Sequence, residues 1–213
     1  LSGYERSGSR VTIADQKPFN SMKEVTSWYP VMEGAKTENQ TYLSLNFVAG
    51  HNTDQALNMS LDLLCDVLVN QESAPVRLAL QNASIGQDVS ASVSNFYQNV
   101  IQIIVQNANP EDKDKFLQIV MSTLKEEAEK GLDKKAIEAV LNRNEFLLRE
   151  GNDAQIGLTG INRSLPGFFF AGDPFIGLEY EKPLSEVKKA LNSDYLEPLI
   201  LKNFINNPHT LLL

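Results

Sequence analysis

From Thr41 the run TYLSLNFV alternates. Leu43, Leu45 and Phe47 fall on one side and Tyr42, Ser44, Asn46 and Val48 on the other, the period of two that predicts a half-buried strand, with Gly50 as its stop. The pattern then changes to a helical one. Leu57, Leu61, Leu64 and Leu68 recur at spacings of three and four, and Asn52 with Gln55 three residues on reads as a capping box, so a largely buried helix is expected from Thr53 to about Val69. Pro75 opens a short second helix through Leu80, and Gly86 breaks the chain after it. QDVSASVS and QNVIQIIVQ follow as two β-rich runs separated by Asn95, Phe96 and Tyr97, spaced to pair as antiparallel neighbours.

Two long helices are signalled by their ends. Asn109 as cap, Pro110 at the first position and acidic Glu111 and Asp112 in the first turn start one, whose buried stripe is Phe116, Leu117, Val120, Leu124 and Ala128 and whose stop is Gly131. Asp133 caps the next, with Ile137, Val140, Leu141, Asn144 and Leu148 on one face and Glu145 four residues before Arg149 for an ion pair. Beyond Gly151 the glycines 157, 160 and 167, Pro166 and the triplet Phe168 to Phe170 read as a looser region, closed by a turn at Asp173-Pro174. Short helices over about 184–192 and 194–206 and a terminal strand complete the chain. The order of elements predicts an α+β domain with helices packed on a mainly antiparallel sheet. Residues 1–40, turn-rich and punctuated by Pro18 and Pro30, read as an extended lead-in belonging to that domain, and 41–213 as a single α+β unit.

Size and charge narrow the function classes. A chain of 213 residues buries roughly 70% of its unfolded surface and can hold a core without metals or disulfides. Net charge is -8, which argues against nucleic acid or an anionic membrane as partner. No apolar run approaches the roughly 20 residues that span a bilayer, and a soluble, cytoplasmic protein is expected. Cys65 sits in an apolar run and is expected to be a buried, inert thiol. The chain opens on Leu1 and closes on three leucines within a predicted strand, as expected of a piece of a longer polypeptide.

Catalytic chemistry is sparse. The two histidines, His51 and His209, lie far apart in sequence and outside any zinc-ligand spacing, and one cysteine makes no cluster; both histidines are expected in surface or capping roles. There is no Gly-x-Ser-x-Gly elbow, Walker loop or Gly-x-Gly-x-x-Gly turn. Glu138 and Glu145, two turns apart on an amphipathic helix, suit a solvated ion-pairing face better than acid–base work. The sequons at Asn39, Asn58, Asn82 and Asn162 are discounted, since Asn58 falls within a helix. Phe168 to Phe170 read as core or interface. No catalytic, cofactor-binding or metal-binding residue is assigned.

GLDKKAIEAVLNRNEFLLRE (131–150) resembles a stretch of the presequence protease and falcilysin branch of the insulinase-like (pitrilysin) zinc metallopeptidases. QKPFNSMKEVTSWYPV (16–31), YLSLNFVAG (42–50), the Ser73-Ala74-Pro75-Val76 turn with Gly86 after it, and FINNPHTLLL (204–213) fall in the order that branch shows. One departure is Ser-Ala-Pro-Val where that branch often has Ser-Pro-Leu. The resemblance implies one of four related domains of an insulinase/processing-peptidase-like fold, arranged as two halves that close around a peptide. Zinc in such enzymes is held in the first domain by a His-x-x-Glu-His motif, which this chain lacks; its segments look like the second, catalytically empty domain.

The resemblance therefore implies a non-catalytic, chamber-lining domain of a zinc-dependent metalloendopeptidase that degrades peptides, inactive alone. Its expected partners are the zinc-bearing N-terminal catalytic domain and the C-terminal half of the same polypeptide, with peptides as substrates. The alternative is a stand-alone binding or assembly subunit related to processing-peptidase subunits. An independent hydrolase using His51 or His209 is a third reading, which loss of an activity on changing either to Ala would reveal.

Overall fold

The computed structural model describes residues 3, 13–94, 96–151, 155–191 and 193–213. Its centre is the alternating strand β2 (Thr41–His51). β2 pairs antiparallel with β4 (Gln98–Ala108), Leu45 facing Ile103, and β4 pairs antiparallel with β3 (Asp88–Ser94), Ala91 facing Ile103. On its other side β2 takes the terminal strand β5 (Thr210–Leu212), Leu45 facing Leu212. A two-residue β1 (Lys23–Glu24) lies parallel to β5, so the order is β1-β5-β2-β4-β3 and the sheet is antiparallel except at that edge. The lead-in 1–40 thus contributes a strand to the sheet through its described part. Asn95, between β3 and β4, and Asn192 lie outside the described residues.

One face of the sheet carries the core. Leu43, Leu45, Phe47, Val89, Ala91, Ile101, Ile103 and Val105 are buried beneath α1 (Gln55–Cys65), α2 (Pro75–Asn82), α3 (Lys113–Lys130) and α7 (Leu196–Ile200). Phe47 and Phe204 meet edge to face at 5.1 Å, joining the central strand to the segment that follows α7. α4 (Lys134–Glu150) and α6 (Glu181–Ala190) form an outer layer against α1. Gly86 turns the chain from α2 into β3 at φ +65°, where an added Cβ would fall 2.1 Å from Val105 Cγ1.

Several expectations shift. Asp54, not Asn52, caps α1, its carboxylate accepting from Leu57 N at 3.0 Å. A tight turn, closed by Asp54 N donating to His51 O, leaves the Asn52 carbonyl to the side chains of Gln55 and Asn58. Gly50 does not end β2, which runs on to His51. α1 runs past Cys65 as a π-helical turn, Asp66–Asn70. The region after Gly151 holds a helix, α5 (Ile156–Pro166), continued by a π-helical turn, Gly167–Ala171. Pro166 removes a donor near the end of α5, and the wider turn begins directly after it. The expected 184–192 helix is α6, displaced toward the N-terminus, and α7 with its π-turn Leu201–Ile205 replaces 194–206.

Candidate functional site

The candidate chemistry starts with the two histidines, and the fold does not bring them into one site. His51, at the end of β2, is partly exposed, with Nε2 2.8 Å from Asp15 Oδ1 and its ring 5.0 Å from Tyr97. His209, expected at the surface, is instead buried: its residue opens the turn into β5, where its ring meets Phe19 edge to face at 4.5 Å. Burial, with Lys23 nearby, holds its pKa below the usual imidazole value. Cys65 is buried on α1, and burial, reinforced by Asp62 and Asp66, pushes its thiol well up, so a nucleophilic thiolate is disfavoured there. Among the described residues no three His, Cys, Asp or Glu side chains gather in positions to hold a metal ion. The described residues therefore offer no set of zinc ligands.

Glu145 is the acid with the most organised surroundings. It takes Arg149 at 2.6 Å on its own helix and Lys188 from α6, whose hydrogen bond, with Arg149 adding to it, holds the carboxyl below its usual pKa. It is a clamp between helices, whereas Glu138 is exposed on the same helix. Phe168 and Phe169 stand exposed in mutual contact, while Phe170 turns back to meet Tyr97, the two rings tilted by 50° with centroids 5.3 Å apart. Asn58 is engaged on both ends of its amide, donating to Asn52 O and accepting from Asn99 Nδ2.

Two features were not singled out from the sequence. One is a cleft of about 310 Å³ between α1, α4 and the segment before α6, lined by Asn58, Met59, Asp62, Asn144, Leu148 and Tyr180 among others. Asp62 opens into it without an ion-pair partner among the described residues, and burial, with the Asp66 charge behind it, raises its carboxyl to about 7. The other is the sheet face turned away from the helices. Ser92, Gln102, Asn46, Leu211 and Lys23 form one row across all five strands by register. Gln102 Nε2 donates to Asn46 Oδ1 at 2.9 Å, and Asn46 Nδ2 donates on to Ser44 Oγ at 3.0 Å. Ser90, Ser94, Val48, Val100 and Ile104 complete a face that carries no charge between Asp88 at one border and Lys23 at the other. The even positions of β2 and β4, uncharged throughout, were the available signal for it.

Residues 3–144 match the family model of the peptidase M16 inactive domain. The chain belongs to that family. The inactive domain is 39% identical over its whole length to Protein HypA of Clostridium perfringens, covering 22% of that protein. It is 28% identical to presequence protease 1, chloroplastic/mitochondrial, of Arabidopsis thaliana, over 92% of this chain and 19% of the relative. Among solved structures, the inactive peptidase domain of a putative zinc protease from Bordetella parapertussis superposes with a TM-score of 0.65 at 14% identity, covering 80% of this chain and 89% of that one. That likeness shows the fold: the insulinase-like α+β architecture expected from the sequence. The chain spans about a fifth of the length of these curated relatives. No helix among the described residues is long and apolar enough to cross a membrane.

Proposed function

We propose that this inactive domain forms part of the wall of a peptide-holding chamber in a zinc-dependent metalloendopeptidase, with the zinc, its ligands and the catalytic base supplied by another domain of the same polypeptide. The observation that carries this reading is the open sheet face. A wall that holds unstructured peptides of varied sequence needs hydrogen-bonding groups without fixed charge, and the row Ser92, Gln102, Asn46 offers amide and hydroxyl groups that can meet a peptide backbone. Family membership, and relatives named as presequence proteases, support the substrate class. The net charge of -8 favours basic peptides at long range. For the compartment the proposal is the cytoplasm, supported by a single buried thiol; the mitochondria and chloroplasts named for the presequence proteases would suit that thiol equally.

Zinc content and peptide hydrolysis, measured on this chain and on the full polypeptide that encodes it, test the reading. Zinc at one equivalent with hydrolysis is expected in the full polypeptide and neither in this chain; robust hydrolysis by the chain alone would overturn the assignment. In the full polypeptide, Gln102→Arg on the open face should raise KM for peptides several-fold with zinc content unchanged. A reading frame limited to this domain would favour the binding-subunit alternative.

A further inference from the structure

The segment around α5 contradicts the ordinary logic of an amphipathic helix. Leu158, Ile161, Leu165 and Phe168 recur at spacings of three and four, the stripe that a helix turns toward a core. Here the stripe faces outward: with Phe169 added, four of the five side chains are 54–61% exposed and Leu165 is 39% exposed. Ten of the twenty exposed large apolar side chains among the described residues lie between positions 146 and 178. A ring exposed to this degree leaves on the order of 100 Å² bare, so the stripe leaves several hundred Å² of apolar surface open, the size of patch that on a monomer is often functional.

The opposite side of the helix shows that this orientation is fixed rather than incidental. Gly177 lies so close to α5 that an added Cβ would fall 1.9 Å from Arg163 O, and Gly167 is likewise pressed against Asp173 O. The 173–178 turn therefore packs on the Arg163 side of the helix, opposite Leu158, Ile161, Leu165 and Phe168. α5 itself buries no side chain. An eleven-residue helix with no buried face falls below the length at which helices hold in water without packing, about 12–15 residues.

We infer that the apolar stripe of α5 and its π-turn is the seat of a neighbouring domain of the same polypeptide, which covers it with an apolar surface of its own. The inference rests on the chamber reading for the existence of that neighbour. Two observations favour this occupant over a second copy or a peptide. The relatives are four to five times longer than this chain, so tethered polypeptide is available to cover the stripe at no translational cost. The stripe is also aliphatic–aromatic, as obligate interfaces are, whereas the open sheet face carries the polar row Ser92, Gln102 and Asn46 suited to a transient peptide.

The test is peptide-resolved maleimide labelling of the full natural polypeptide carrying Ile161→Cys or Phe169→Cys, each compared with the same cysteine in urea-unfolded protein. Labelling slowed at least tenfold, and unchanged on hundredfold dilution, is the expected result. Slowing of less than tenfold overturns the inference, and so does protection that disappears on dilution, which marks a second copy. Protection relieved by added peptide substrate overturns it in favour of a substrate site. Two positions are used so that one poorly tolerated substitution does not decide the outcome. The readout is independent of zinc and hydrolysis: a polypeptide without peptidase activity but with protected cysteines would sink the chamber reading and leave the interface standing.

Discussion

Asp62 and His209 pull the stability of this domain in opposite directions as pH changes. The Asp62 carboxyl titrates near 7 when folded against 3.8 as its reference, so the folded state holds a proton that the unfolded chain has released. Its stabilising contribution is complete below the reference value and is lost as pH rises through about 7. His209 has its pKa lowered from 6.5 by burial, so its contribution is present above that value and is lost as pH falls. Asp62→Asn should therefore remove a decline in stability between pH 4 and 7, seen as a flatter urea midpoint against pH and a higher midpoint at pH 8. The gain is held under about 1 kcal/mol because the side chain still reaches water. His209→Gln should have the converse effect, removing a loss of stability on acidification below 6.5; a wild-type slope retained by either variant would contradict the assignment. Cys65 gives a simpler check. Buried among apolar side chains with its thiol pushed up, it should stay unreactive toward a thiol reagent in native protein and react fully in denaturant.

At the scale of elements, β5 depends on one side chain. Asn207 Nδ2 donates to Val48 O on β2 and to Asn203 O within the preceding π-turn, both at 2.9 Å, while its Oδ1 accepts from His209 N. Asn207→Ala leaves these three backbone groups to find water in a half-buried turn. It should cost about 1–3 kcal/mol and speed amide exchange in β2 where β5 covers it; Asn207→Asp, which keeps the acceptor but loses the donor, should fall between. Elements with strong local signals were legible in the sequence. β2 showed its period of two, α3 its Asn109-Pro110 start, α4 its Asp133 cap, and the structure places each within a few residues of its expected bounds. What escaped depends on tertiary contacts. α5 carries Gly157, Gly160 and Pro166, so propensity argued against a helix, and those same residues masked the spacing of its apolar stripe. The parallel pairing of β1 with β5 joins residues nearly 190 positions apart and has no local signature. His209 looked like a polar turn residue because its burial comes from Phe19, far away in sequence.

The whole molecule presents two unlike surfaces, and this decides how the isolated domain should behave in solution. The open sheet face is uncharged and mixes the polar row Ser92, Gln102 and Asn46 with Val48, Val100 and Ile104, whereas the α5 segment is apolar and uncovered by the described residues. A net charge of -8 keeps copies apart at low ionic strength, when the Debye length is about 30 Å at 0.01 M salt; at 0.15 M it falls to about 8 Å and the apolar stripe is free to associate. Sulfate should strengthen that association further by favouring apolar burial. The isolated chain is therefore expected to sediment as a monomer in dilute buffer and to self-associate as salt, and sulfate above all, is raised. Phe168→Ser with Phe169→Ser should suppress the association. It should leave the melting temperature within about 2 °C, since neither ring contributes to the core and exposed substitutions ordinarily change stability by less than about 0.5 kcal/mol. Gln102→Ser with Asn46→Ser on the sheet face should leave the association unchanged. Sedimentation velocity of the three proteins across a salt series separates the surfaces: association that persists in the Phe168/Phe169 variant would place the sticky surface elsewhere and remove the stripe from consideration as a protein-binding face.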